Sequence, residues 1–441
     1  MILTLNVPPK AREFKIETKK LADEIPEHGF GKAWRQRPFY PRRAYEAADQ
    51  ERQAILENPR LLEEAGVRWC LSTNGVKKLD AALATVHEMI EAGVSEKAVL
   101  RALTSAPAAL FGAERLLGDL AVGRRGDVTI LSKPLAEKDA KPRWVIVGGR
   151  VYEFTPEKDR DRAKGKRGGD RKRDSNDANA GDDSEGEPQT EIAPATSPAS
   201  QPLRGIAALR VHEPQWPIET DTERVPAFRT GGSVLLAGAT VLTVSGEDLA
   251  NTSVLIENGK ITKIGRDLTA PPGVRTVDLR GYVVMPGIFD PHSHAGISAV
   301  NEWTMSVTCD VRIRDVLRPE DPTLFRALAG GVTAMHCMHG SANTIGGQNA
   351  IIKLKYGRPA SEMLVSDAPR TVKFALGENV KRSGMRDRRF GRDAPRRFPG
   401  TRMGVETVMR RALTEGRSYA SRRASYERAK AAGEDVAPFR R

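Results

Sequence analysis

Cysteine is scarce in this 441-residue chain, which has 3, at positions 70, 309 and 337. A small, odd and widely spaced set does not make a disulfide framework. It fits a reducing compartment, so the expected location is cytoplasmic. Aromatic residues are also few, at 5%. They do not interleave with basic residues as they do on a base-stacking sheet, and no zinc-finger spacing occurs. Both absences argue against nucleic acid as a partner. No run of ~20 apolar residues exists, so no helical membrane span is expected. The first eight residues are apolar but lack a basic start. They read as a strand carrying Ile2, Leu5 and Val7, not as a secretory signal. Histidine is sparse too: there are 7, and none follows His339.

Positive charge is in excess, at +13. It is concentrated around residues 158–173 and in the tail after Lys381. Such excess suits an anionic partner. It equally suits solvated segments, and both readings stand.

From the N-terminus, a helix is expected over residues 43–57, then a short one ending at Gly66, whose freedom at positive φ suits a C-cap. Residues 67–72 alternate as a strand that stops at Thr73-Asn74-Gly75. Leu79, Leu83, Val86 and Ile90 form an apolar stripe of helical spacing. Ser95 caps the next helix, and Pro107 sits near the first turn of another. The period then changes to two. A turn and short strand are expected at 118–123 and a strand at 126–131, and a hairpin at 144–152 turns on Gly148-Gly149. Residues 155–203 are rich in Lys, Arg, Asp, Gly, Ser and Pro and read as a disordered linker. Residues 204–232 connect it to a second block.

That block opens with a strand pair at 233–241. The strongest hairpin signal in the chain follows, two apolar alternating runs around Asn258-Gly259. Further strands are expected at 275–279 and 282–285. The chain then reaches Pro286-Gly287-Ile288-Phe289-Asp290-Pro291-His292-Ser293-His294. Residues two apart on a strand point to one side. His292 and His294 can therefore reach one metal ion, and Asp290 can orient a ligand or join the surrounding shell. A helix is expected at 319–328, a strand at 331–337, and a Gly- and amide-rich loop at 339–349. Another strand covers 371–376, followed by helices at 401–419 and 422–432.

The Pro-Gly-x-x-Asp-x-His-x-His stretch resembles the start of the metal-dependent amidohydrolase superfamily, the imidazolonepropionase-like and dihydroorotase-like enzymes. The resemblance implies an α/β fold, in which a small β-sandwich flanks a (β/α)8 TIM-like barrel, here partial. It also implies a divalent metal, with zinc the expected ion, and hydrolysis of a carbon–nitrogen bond in a small molecule such as a cyclic amide. His292 and His294 become metal ligands. In several family members a strand lysine is carboxylated and bridges two metals, and the resemblance makes Lys373 a candidate for that residue. It could instead pair with Glu378, or pack its stem and reach solvent. In a barrel, loops at the C-terminal ends of strands line the active site. Asn343, Gly346 and Gly347 are the pocket candidates on that ground.

Residues 65–154 resemble the closing portion of the same family, through Thr73-Asn74, Thr104-Ser105-Ala106-Pro107-Ala108 and the stretch from Gly118 to Asp127. Asn74 stands where the family has a metal-binding, proton-accepting carboxylate, and an amide has no basic lone pair near neutral pH. The expected organisation is therefore a C-terminal barrel and sandwich portion (1–154), a linker (155–203), a connecting segment (204–232), and the N-terminal sandwich and first barrel strands of a second unit (233–441). A tail precedes a head. Three readings follow: part of a tandem or split hydrolase that needs a complementary segment, a non-catalytic scaffold, or a basic polyanion binder.

Overall fold

A computed structural model describes residues 2–4, 42–73, 80–154, 224–302, 304–382 and 397–440. The expected linker at 155–203, most of the connecting segment, Asn74, Leu79 and most of the arginine-rich stretch after Lys381 lie outside these residues. The described residues group into one compact unit.

The strands in chain order are β1 (Ile2–Thr4), β2 (Cys70–Ser72), β3 (Val128–Leu131), β4 (Pro142–Val147), β5 (Arg150–Glu153), β6 (Phe228–Arg229), β7 (Val234–Val241), β8 (Leu249–Glu257), β9 (Lys260–Gly265), β10 (Arg275–Asp278), β11 (Val283–Pro286), β12 (Ile288–Ser293), β13 (Val332–Cys337), β14 (Ile345–Gln348), β15 (Ala350–Lys353) and β16 (Val372–Phe374). Eight of them run in the order β6-β5-β4-β3-β11-β7-β8-β9, and β10 pairs with β7 to make a nine-stranded sheet. The seam is β3 against β11, antiparallel, with Leu131 opposite Val283 and Val128 opposite Pro286. Strands from both sides of residues 155–223 thus share one hydrogen-bonded ladder.

Alternation explains why those strands are apolar nearly throughout. Val128, Ile130, Ile146, Val151 and Val284 face one core. Leu131, Val145, Val147, Tyr152, Val283 and Met285 face another, shared with the helices and β13. A sheet buried on both faces needs apolar side chains at odd and even positions alike. Both predicted hairpins form, with φ positive at Gly148, Gly149, Asn258 and Gly259, as a two-residue primed turn requires.

The remaining strands make smaller sheets. β1 pairs parallel with β2. β12 pairs parallel with β13, and β15 runs antiparallel on the other side of β13. β14 pairs antiparallel with β16. Among the described residues these sheets do not close into a barrel. The parallel strands β1, β2, β12 and β13 are too few to complete the circle that eight tilted strands make.

Several local expectations change. Residues Arg42–Glu64 form one helix that runs through Pro59. Leu56 and Leu62, on either side of Pro59, pack on the same core and hold the halves in line. No strand forms at 118–123. That segment instead donates from Leu120 and Gly123 to carbonyls of Thr243 and Ile261. Part of the expected loop at 339–349 is β14. The C-terminal helix is continuous from Arg402 to Ala431, capped by Thr401 onto the Gly404 N–H. Val405 and Val408 in its first turns are buried. The basic residues beyond them are exposed, and opposite charges one turn apart, Arg410 with Glu406 and Arg423 with Glu427, support it. No helix among the described residues is long and apolar enough to cross a membrane.

Candidate metal centre

Gly287 starts the site. It lies where β11 turns into β12, and its N–H bonds to the Asp127 carbonyl. A Cβ here would run into the Thr333 side chain, 2.6 Å from that residue's own Cβ. Only glycine lets β12 enter this close to β13.

Asp290 follows, 1% exposed. Its Oδ1 accepts from the Ser72 hydroxyl at 3.0 Å, the Thr73 N–H at 3.3 Å and the His292 N–H at 3.2 Å; its Oδ2 accepts from the Thr73 hydroxyl. Burial pushes the carboxyl pKa up, and these four hydrogen bonds oppose that push. Asp290 thus braces main chain, joining β12 to β2, and does not touch either imidazole through these bonds. The Ser72 hydroxyl also lies 3.0 Å from the His292 carbonyl. The pairing of β12 with β13 is irregular between Asp290 and Ser293.

The two imidazoles converge. Nε2 of His292 lies 3.3 Å from Nε2 of His294, with the rings nearly perpendicular at 79°. Two ligands on one tetrahedral zinc, each 2.0–2.1 Å from the ion, stand about 3.3 Å apart. His294 Nδ1 lies 2.9 Å from the Met338 carbonyl. A carbonyl only accepts, so the proton is on Nδ1 and the Nε2 lone pair is free to ligate. The pKa of His292 is pushed down to about 4, first by burial and then by the charges of Lys373, His294 and His336. Burial also lowers His294. Both rings are therefore neutral at pH 7, as ligation requires.

Lys373 is on β16, half-buried between the exposed Val372 and Phe374. Burial lowers its pKa, and its charge acts on His292, His294, His336 and His339. Among the described residues no carboxylate forms an ion pair with it. The Glu378 carboxylate pairs with Lys381 and Arg402. Among the described residues, no three His, Cys, Asp or Glu side chains gather around one point. The separation of the two imidazoles is compatible with two positions on one ion.

The expected pocket residues are placed together, in the interior. Asn343 is fully buried, and its Nδ2 donates to the carbonyls of Glu302 and Met305 and approaches the Thr308 hydroxyl at 3.1 Å. Gly346 and Gly347 lie against the His339 ring, where a Cβ on Gly346 would come within 2.5 Å of Nδ1. His339 itself is a packing residue: Nδ1 bonds to the Gly340 carbonyl and Nε2 receives the Glu302 N–H. Ser72, Thr73, Met338, His336 and Thr371 also shape the site. Apart from Thr73, which belongs to the Thr73-Asn74 stretch noted above, no local pattern marks them, because their partners lie 35 to 220 positions away.

No family model matches the chain. Individual relatives do. The amidohydrolase tasK of Hapsidospora irregularis is 36% identical over 182 residues, covering 36% of this chain and 18% of its own length. A dihydroorotase of Citrifermentans bemidjiense is 29% identical over 154 residues, covering 34% of this chain and 33% of its own. A crystal structure of an amidohydrolase from Thermotoga maritima is 34% identical, with a TM-score of 0.40, covering 47% of this chain and 52% of that one. The chain therefore spans a third or less of the length of those two curated relatives. Over these stretches the chain is similar to proteins named amidohydrolase and dihydroorotase, and it carries an Asp-x-His-x-His strand whose two imidazoles meet.

Proposed function

We propose that this chain supplies part of a metal-dependent hydrolase that cleaves a carbon–nitrogen bond in a small molecule, a cyclic amide being the expected class. The observation that carries the proposal is the approach of His292 Nε2 to His294 Nε2 at 3.3 Å. These two residues would hold the ion, expected to be zinc. Lys373, carboxylated on Nζ, would be a third ligand. When bound, such an ion supplies Lewis-acid polarisation and an activated water.

The chain's own residues do the positioning. Asp290 fixes the main chain at His292, and the Met338 carbonyl keeps the His294 proton on Nδ1. The buried setting disfavours protonation of either ring. A general base is still needed to take the proton of the water. The position where the family has that carboxylate is Asn74, so the base is assigned to a complementary amidohydrolase segment. Asn343, Gly346 and Gly347 would act indirectly, by packing the loop around His339.

The incomplete ligand set among the described residues favours one other reading, a scaffold that binds without catalysis. Elemental analysis of purified protein separates the two. About one equivalent of zinc in the wild type, lost in both His292→Ala and His294→Ala, supports the hydrolase. A folded, metal-free protein that takes up no added zinc supports the scaffold.

A further inference from the structure

His336 is 1% exposed and is not among the residues assigned above as ligands. Its Nδ1 lies 3.2 Å from the carbonyl of Pro291, between Asp290 and His292. Its Nε2 lies 2.8 Å from the Thr371 hydroxyl. Thr371 Oγ1 in turn receives a hydrogen bond from Asn349 Nδ2 at 3.0 Å. The carbonyl can only accept, so Nδ1 carries the proton and Nε2 does not. Nε2 must then accept, which makes the threonine hydroxyl the donor. The hydroxyl oxygen is left to accept from the amide. Every proton in the row has one place, and the row runs one way: Asn349 to Thr371 to His336 to Pro291.

The two ends matter. Pro291 immediately precedes His292 on β12. Thr371 stands two residues before Lys373, and both are half-buried while Val372 and Phe374 between and after them are exposed. The same side of β16 therefore carries the end of the row and the lysine. β16 itself pairs with β14 only through an irregular ladder, Ile345 with Phe374 and Gln348 with Val372. Phe111 covers the His336 ring at 4.0 Å between centroids, which excludes water from one face. We infer that His336 is a positioning residue which, through Thr371, sets the separation between the histidine pair on β12 and Lys373 on β16.

This inference rests on His292 and His294 being metal ligands, and the test separates the two claims. Cobalt(II) is titrated into the full chain and into Thr371→Val, Thr371→Ser and His336→Gln, following affinity and the visible d–d bands. In parallel, imidazole nitrogen NMR shifts are recorded on the metal-free proteins. The wild type should bind one cobalt, with His336 protonated on Nδ1. Thr371→Val, which keeps the shape and removes the hydroxyl, should weaken binding by about 10- to 100-fold and move the bands. His336→Gln should do the same. Thr371→Ser should return affinity to near the wild-type value. Wild-type affinity and spectrum in Thr371→Val overturn the positioning role and leave the ligand assignment standing. A His336 protonated on Nε2 in the metal-free wild type also overturns it. A wild type that binds no cobalt removes the ligand assignment, and the positioning role with it.

Discussion

The carboxylate of Asp290 accepts a hydrogen bond from the hydroxyl of Ser72, 218 positions earlier in the chain, at 3.0 Å. That contact joins the two sequence blocks at the candidate site. It is one of four hydrogen bonds that a single buried carboxylate receives.

Replacing Asp290 should therefore be costly. In Asp290→Ala the Thr73 hydroxyl and two backbone N–H groups lose their acceptor, while the Ser72 hydroxyl keeps the His292 carbonyl; each unsatisfied donor costs about 1–3 kcal/mol where water cannot reach it. Shared relaxation makes the sum smaller, and a loss of about 3–5 kcal/mol is expected. Asp290→Asn keeps an oxygen and should lose less. Denaturant unfolding of both variants measures this, and a change under about 0.5 kcal/mol in Asp290→Ala would remove the bracing role.

Gly287→Ala should destabilise through contact, not through backbone strain. Its added Cβ meets the Thr333 side chain on β13. Overpacking of this kind costs about 1–3 kcal/mol. Because β12 is displaced along with it, metal uptake should fall in the same variant, while Gly416→Ala, in the C-terminal helix with open space around it and no positive φ, leaves uptake unchanged. Thermal unfolding and zinc titration report the two effects.

Lys353 and Asp127 form an ion pair with both side chains 6% exposed. Asp127 also accepts the Gly148 N–H at 2.9 Å, so the pair ties β15 to the hairpin of β4 and β5. Lys353→Met leaves the carboxylate buried without its cation, at a cost of about 3–5 kcal/mol. Removing both charges, in Lys353→Met with Asp127→Asn, should cost less than the two single changes added together. A double-mutant cycle by chemical denaturation gives the sign.

Stability should fall in mild acid because of His336. Burial pushes its pKa down to about 4 from 6.5. The unfolded chain therefore binds this proton near pH 6.5, and the folded chain only near pH 4. Folding stability is fully present above pH 6.5, declines as pH falls through that window, and levels off below 4. The other buried imidazoles act in the same direction. Asp290, with its raised pKa, acts oppositely. The difference between wild type and His336→Gln isolates one histidine, about 3 kcal/mol at most across the window. Unfolding free energies at pH 7, 5.5 and 4.5 should converge for the two proteins as pH falls.

Short-range chemistry was readable without coordinates. Gly148-Gly149 and Asn258-Gly259 announce their turns because few residues tolerate positive φ. Ser95 and Thr401 announce helix starts because their oxygens reach N–H groups three residues on. The break expected after residue 57 is absent, since tertiary packing of Leu56 and Leu62 carries one helix across Pro59. The tract from His339 to Asn349 hid a strand, since Gly346 and Gly347 are there to clear the His339 ring and not to make a loop.

Local pattern alone thus indicated most strands of the large sheet, with β6 missed and one strand wrongly expected at 118–123, where the tight turns lie, and that His292 and His294 share a side. Those features depend on neighbours within a few residues, which the order of side chains displays directly. The tertiary structure alone decided that residues 128–131 pair with 283–286, that Asp290 turns to β2 and not to an imidazole, and that His336 bridges to Thr371. Such partners are brought together by burial of a shared core, and hydrogen bonds are then made wherever a buried polar group must find one. Distance along the chain carries no trace of that choice.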